Sequence, residues 1–128
     1  MKQFLLLVCV LFSINVYAQD NKKDPDIFTK VDVMPKADYD LTQYLDLNLK
    51  YPDSARNHDI EGRVLIKFVV NEDGRISNCT VIKGIGAGCD QEALRVVKSM
   101  PKWDPGEKDG RQVKVYFTLP VVFKLTDY

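Results

Sequence analysis

Residues 113–125 alternate so regularly that they predict one long strand. Every odd position is apolar, namely Val113, Val115, Phe117, Leu119, Val121, Phe123 and Leu125. One face of the strand is therefore expected to meet a core. Pro120 lies on the other face and has no N–H for a ladder, which favours a strand at the edge of its sheet. An edge leaves a row of unpaired backbone groups, and such a row can capture another extended segment.

The size and charge of the chain limit the function classes that it fits. Its 128 residues allow one domain with a modest core, and its 18 basic residues balance 18 acidic ones. An even balance of charge gives no reason to expect a nucleic acid or an anionic surface as partner. The charge balance therefore favours a neutral partner. No cofactor is expected.

The N-terminus has the three regions of a secretory signal peptide. Lys2 precedes an apolar stretch from residue 4 to residue 12, and small residues follow up to Ala18. The alternative is an uncleaved membrane anchor, but the apolar stretch is shorter than the ~20 residues of a spanning helix. We predict a signal peptide over residues 1–18, a tether or extended arm over residues 19–39, and a domain over residues 40–128.

Two cysteines remain after residue 18, in a chain that is expected to be exported. Cys79 and Cys89 could form a disulfide, because disulfides persist outside the cytoplasm. The alternative is that Cys79 packs as a small core residue on a strand and that Cys89 packs beside a helix. The chain has one histidine, His58, and no cluster of cysteine and histidine, so a zinc site is not expected.

Local signals predict the order of helices and strands. Asp40, with Gln43 three residues later, predicts a capped helix, and Pro52 suits the start of a second, short helix. From Gly62 the apolar period changes to two, and Asn71 to Gly74 has the composition of a hairpin turn. Asp90 predicts the N-cap of a further helix that ends before Pro101.

The strand after the hairpin turn has an irregular pattern. Its apolar residues do not share one parity, which predicts a bulge near Ser77 and Asn78. The glycine-rich stretch over residues 84–88 resembles a phosphate-binding loop, but no Lys-Ser or Lys-Thr pair follows it. A flexible connection between strand and helix is the better interpretation.

These elements predict an α+β fold. The hairpin and the later strand can form a three-stranded antiparallel sheet in the order 2-1-3, which leaves the strand with Pro120 at an edge. Two main helices would cover one face, with an additional N-terminal helix. Trp103 and Phe117 are expected to be core residues, because both lie in or beside the packed face.

Several motifs occur together at characteristic spacing. They are YP at 51–52, GRVLIKFVV at 62–70, DG at 73–74, EALRVV at 92–97, MPKWDPG at 100–106 and FTLPVVF at 117–123. With these motifs the chain resembles the C-terminal domain of the TonB energy transducers, in the form common in Bacteroidetes-type bacteria. The resemblance covers about residues 51–125.

The resemblance implies a periplasmic domain that binds the TonB box, a short N-terminal segment of outer-membrane transporters, by adding it to the last strand. It also implies a link to the inner-membrane motor complex. The implied receiving residues are Gln112, Val113, Lys114, Val115, Tyr116, Phe117, Thr118 and Leu119. Tyr51 and Pro52 lie where members of the family often contact the transporter.

Two other functions are open at this point. Edge strands of two copies can pair across a two-fold axis, so the protein could be a structural or assembly protein that forms a homodimer. An enzyme is a weaker interpretation, because His58 has no evident nucleophile partner.

Residues 27–34 alternate like a short strand with no assigned partner. One hypothesis is that this segment docks on the edge at residues 112–119 and covers it until a transporter segment competes. The alternative is an extended arm that lies on the helices through Ile27 and Val31.

Overall fold

A computed structural model describes residues 24–126. The predicted signal peptide and the first residues of the arm lie outside this range. The described elements are β1 (Ile27–Phe28), β2 (Lys36–Ala37), α1 (Leu41–Asn48), α2 (Asp53–Asn57), β3 (Gly62–Val70), β4 (Ile76–Lys83), α3 (Cys89–Lys98), β5 (Trp103–Asp104), β6 (Gly106–Lys108) and β7 (Arg111–Phe123).

The main sheet is built around β7. Its neighbours follow in the order β1, β7, β3, β4, and β6 also pairs with β7. β3 is antiparallel to both β4 and β7, whereas β1 runs parallel to β7. A second, two-stranded sheet joins β2 to β5.

The sheet differs from the expected one in strand number and direction. The three long strands are adjacent in the order β4, β3, β7, but the sheet has five strands and is mixed. The expectation of a three-stranded, purely antiparallel sheet was therefore wrong. β6 is three residues long, too short to show a hydrophobic period in the sequence, and β1 is only the first two residues of the alternating segment 27–34.

The hairpin and the bulge were predicted correctly. Asn71 and Gly74 close the turn between β3 and β4, and the register between these strands shifts beside Asn78. Asn78 has a φ of 53°, in the left-handed region that a bulge uses. A second shift lies opposite residues Leu65 and Ile66, so β4 is irregular at two points.

The core lies between the helices and one face of the sheet. The odd positions of β7 face it, and Val115, Val121 and Phe123 are almost completely buried. Trp103 packs edge-on against Phe68 and Phe117, with ring centroids 5.3 and 4.9 Å away. Trp103 is therefore a core residue, as the sequence indicated, and Phe117 is half-buried against the same cluster.

The helix ends confirm one predicted cap and correct another. The Asp40 carboxylate accepts a hydrogen bond from the Gln43 N–H at 3.0 Å and caps α1. Asp90, in contrast, is not the N-cap of α3, because that helix begins at Cys89 after Gly88. Its carboxylate instead accepts the N–H groups of Ile85 and Gly86, so the glycine-rich loop already has an internal anion.

The two described cysteines do not form a disulfide. Both thiols are free; Cys79 is half-buried on β4, and Cys89 is completely buried at the start of α3. Burial raises the pKa of each thiol above its usual range, which keeps both protonated and weakly reactive. They have the structural roles that the alternative interpretation gave them.

Candidate strand-binding edge

The side of β7 that faces away from β3 is the candidate site, and we call it the outer edge. Val115 pairs with Val70 on one side and with Phe28 on the other, so β1 lies on the outer edge. β1 covers only Lys114 and Val115. From Tyr116 to Phe123, no strand of the described residues pairs with the outer edge.

The geometry of the chain shows which backbone groups point outward. The turn between β6 and β7 consists of Asp109 and Gly110, both with positive φ, which is typical of a two-residue hairpin. Lys108 and Arg111 close this hairpin, so the backbone N–H and C=O groups of the odd residues of β7 are directed towards β6. Pro120, an even residue, has no N–H to donate to β3, which indicates that the odd residues also direct their backbone groups towards β3. The even residues therefore direct their backbone groups to the outer edge.

The face of β7 that points away from the core carries an aromatic ring, a hydroxyl group and an exposed apolar side chain. The Lys67 ammonium lies 4.2 Å from the centre of the Tyr116 ring, which fixes this ring over β3. Thr118 is exposed beside it, and Val122 is 52% exposed. Side chains of a strand stand roughly perpendicular to the sheet, so an added strand would pair with the backbone of β7 beside them.

A groove separates α1 from the far part of the outer edge. Its volume is about 160 Å³, and it is lined by Thr42, Leu45, Asp46, Leu49, Pro120, Val121 and Val122. Leu45, in the last turn of α1, and Leu49, directly after the helix, are both half-buried. The floor of the groove is apolar, and Thr42 and Asp46 form its polar rim.

Tyr51 and Pro52 lie at the opposite end of β7 from Gln112. The Tyr51 ring packs edge-on against Phe123, with centroids 5.6 Å apart. Its hydroxyl donates to the Ile60 carbonyl, and partial burial raises the pKa of this hydroxyl. Eleven residues of extended strand separate Gln112 from Phe123, a length of about 36 Å. The structure does not bring the two groups of predicted residues together.

The eight predicted receiving residues are in three different environments. Gln112 and Val113 pair with β6, and Lys114 and Val115 with β1. Phe117 and Leu119 point to the core side. Tyr116 and Thr118 are even residues, which direct their backbone groups to the outer edge. Sequence reasoning missed the groove, although Leu45 and Leu49 are spaced four residues apart, as on one face of a helix.

An ion pair supports the corner beside Tyr51. The Glu92 carboxylate accepts the Lys50 N–H at 2.6 Å and two hydrogen bonds from Arg95 at 2.7 Å each. The hydrogen bonds from Arg95 hold the pKa of Glu92 below its usual range. Arg95 also donates to the Asn48 carbonyl, so the pair joins the end of α1 to α3.

Residues 24–126 offer little for other kinds of chemistry. This part of the chain contains no cluster of three acidic, cysteine or histidine side chains that could hold a metal ion. None of the helices described is long and apolar enough to cross a membrane.

Comparison with known proteins gives matches of two kinds. The profile of the family described as Gram-negative bacterial TonB protein C-terminal matches residues 48–125. Two NMR solution structures of the Helicobacter pylori TonB C-terminal domain are similar, each at 25% identity. The shorter has a TM-score of 0.53 over 69% of this chain and 92% of that one, and the longer has 0.52 over 68% and 78%. No curated protein matches.

Proposed function

This chain belongs to the Gram-negative bacterial TonB C-terminal family, and we propose that it captures an extended segment of an outer-membrane transporter on the outer edge of β7. Members of this family are non-enzymatic modules of TonB-type energy transduction. The protein is accordingly a transduction or binding module and not an enzyme.

One observation carries the proposal. The outer edge from Tyr116 to Val122 has no strand beside it among the described residues, yet the same stretch forms a regular ladder with β3 on its other side. A straight, exposed edge is the geometry that strand addition requires. Pro120 removes one donor but leaves the carbonyl groups of the even residues free to accept.

The proposed partner is the TonB box of a transporter, bound mainly through backbone hydrogen bonds. An added strand would direct alternate side chains towards the groove between α1 and β7. The groove floor of Leu45 and Leu49 favours an apolar side chain at that position. We also propose Tyr51 and Pro52 as a second contact, because both remain half exposed.

The location and domain division belong to the same proposal. TonB C-terminal domains act in the periplasm, which agrees with a signal peptide over residues 1–18, an arm over residues 19–39 and a domain over residues 40–128. A link to the inner-membrane motor complex and the Bacteroidetes-type form remain part of this proposal.

The experiment compares Thr118→Pro with Thr118→Val. Thr118 has an even number, so proline removes an outward N–H, whereas valine keeps it. With a peptide from the N-terminal segment of a transporter, we expect Thr118→Pro to bind about twofold to tenfold more weakly, since a hydrogen bond contributes about 0.5–1.5 kcal/mol. Thr118→Val should bind like the parent.

Two results would contradict the proposal. One is equal affinity for all three proteins, with Thr118→Pro folded by circular dichroism. The other is a dimer at all concentrations in light scattering whose interface protects the Thr118 amide, because such a dimer would favour the alternative assembly function.

A further inference from the structure

We propose that β1 is an internal occupant of the outer edge of β7, which an incoming strand must displace, and we call this segment, Ile27–Phe28, the latch. The inference rests on the proposed function, because it describes how access to that same edge is regulated. An incoming strand can then pair with Lys114 and Val115 only when the latch is open.

The latch covers the beginning of the receiving edge. It pairs parallel with Lys114 and Val115 and leaves the outer edge unpaired from Tyr116 onward. The Ile27 N–H donates to the Asp24 carbonyl within a turn, so it does not enter the ladder. The Phe28 N–H is therefore the latch donor that points to β7, and it faces Lys114.

The latch itself is weakly attached. Both of its side chains are only half-buried, and residues Asp24 to Asp26 before it are exposed. The Lys108 ammonium lies 5.5 Å from the centre of the Phe28 ring, close to the limit of about 6 Å for a cation–π contact. A ladder of two residues gains few hydrogen bonds against the entropy of ordering the chain.

The next part of the arm is anchored independently. The N–H groups of Asp32 and Val33 both donate to the Glu107 carbonyl at 3.0 Å, and the Glu107 N–H donates to the Val33 carbonyl at 2.9 Å. The Asp32 carboxylate accepts the Asp109 N–H at 2.8 Å. Pro35 is buried, and β2 pairs with β5. The latch can open while this anchor stays in place.

This arrangement makes the latch a competitor at high local concentration. A segment that is tethered a few residues from its site competes at an effective concentration of order mM. An incoming strand that pairs only beyond Tyr116 leaves the latch closed. A strand that extends to Lys114 must displace it, and its apparent Kd is the intrinsic Kd divided by the open fraction.

The test uses Phe28→Pro in the full chain, with Thr29→Pro as the matched control. Proline at residue 28 removes the donor that faces Lys114. The Thr29 N–H points away from β7, so proline at residue 29 removes no donor from this ladder, and it favours an extended backbone at residue 28. Amide exchange by NMR should become at least about twofold faster at Lys114 in Phe28→Pro alone. Exchange at this amide that is equal in all three proteins would overturn the proposal.

Two peptides then separate the latch from the proposed function. A peptide that copies residues 24–31 should bind Phe28→Pro at least about twofold more tightly than the parent, whatever the natural partner is. A transporter N-terminal peptide that reaches Lys114 should bind Phe28→Pro at least about twofold more tightly, since a latch closed more than half of the time hides half of the sites. Equal binding of this peptide to both proteins would overturn the latch and leave the proposed function intact. If only the copied peptide binds, the latch is upheld and the proposed function fails.

Discussion

The two long edges of the sheet, along β4 and along β7, are very different. β4 forms one edge, and its register against β3 shifts twice, with Asn78 in a left-handed conformation. β7 forms the other long edge, and it pairs with β3 over nine consecutive residues without a shift. A bulged edge cannot continue a regular ladder, whereas a straight edge can. The difference indicates that bulges interrupt the β4 edge, whereas β1 covers the β7 edge only at Lys114 and Val115.

The largest effect is expected at the core that supports the β7 edge. Trp103→Ala should lower the free energy of unfolding by about 3–5 kcal/mol, because the ring is buried between Phe68 and Phe117. Trp103→Phe, which keeps most of the packing, should cost less. Chemical denaturation measures both. If Trp103→Ala keeps its stability and loses partner binding, the residue is a contact and not core.

The bulge on β4 should be the next most sensitive point. Asn78→Val should destabilise the protein by about 1–2 kcal/mol, because a β-branched residue is unfavourable at a φ of 53°. Asn78→Gly should be close to neutral, since glycine adopts this conformation freely. The measurement is the denaturation midpoint of the two variants. Equal stability of both would mean that the bulge does not require a left-handed residue.

Two exposed apolar residues allow a direct comparison of the edges. Val122 on β7 and Ile82 on β4 are 52% and 51% exposed. Lysine at either position should change the stability by no more than about 0.5 kcal/mol. Only Val122→Lys should weaken binding of a transporter peptide, because Val122 lines the groove beside the outer edge. An equal loss from Ile82→Lys would place the binding site elsewhere.

The smallest effect concerns the corner at the far end of β7. Glu92 has a lowered pKa in the folded state because Arg95 donates hydrogen bonds to it. Its stabilisation is therefore complete above the unfolded pKa and is lost as the pH falls through the folded value. The stability advantage of the parent over Glu92→Gln should be present at pH 7 and shrink below about pH 4.5. An advantage that stays constant down to pH 3 would show that the carboxylate charge does not matter.

The long elements could be predicted from the sequence because each contains several periods of its pattern. The odd positions of β7, the turn at Asn71 to Gly74 and the cap at Asp40 are local signals, and the structure confirms all three. The predicted cap at Asp90 was wrong, because its carboxylate bonds backward to the glycine-rich loop. An aspartate in the sequence does not by itself show whether its carboxylate will accept N–H groups that precede it or that follow it in the chain.

The extent and partners of the short strands could not be predicted in full, and they determine how much of the site is open. Residues 103–108 resemble a turn in sequence, yet they form β5 and β6 through pairing with distant segments. The hypothesis that residues 27–34 cover the edge was correct only for Ile27 and Phe28, since Val33 pairs with Glu107. Two-residue ladders depend on tertiary contacts, which leave no periodic trace in the sequence.

Amide exchange in the full chain, with and without a transporter N-terminal peptide, tests the central claim most directly. The outward amides of Thr118 and Val122 should be slowed by the peptide, while exchange along β4 should stay the same. The account predicts this one-sided protection because, within residues 24–126, the β7 edge from Tyr116 onward is straight and unpaired, whereas the β4 edge is bulged. Protection along β4, or peptide binding that leaves Thr118 and Val122 unchanged, would contradict it.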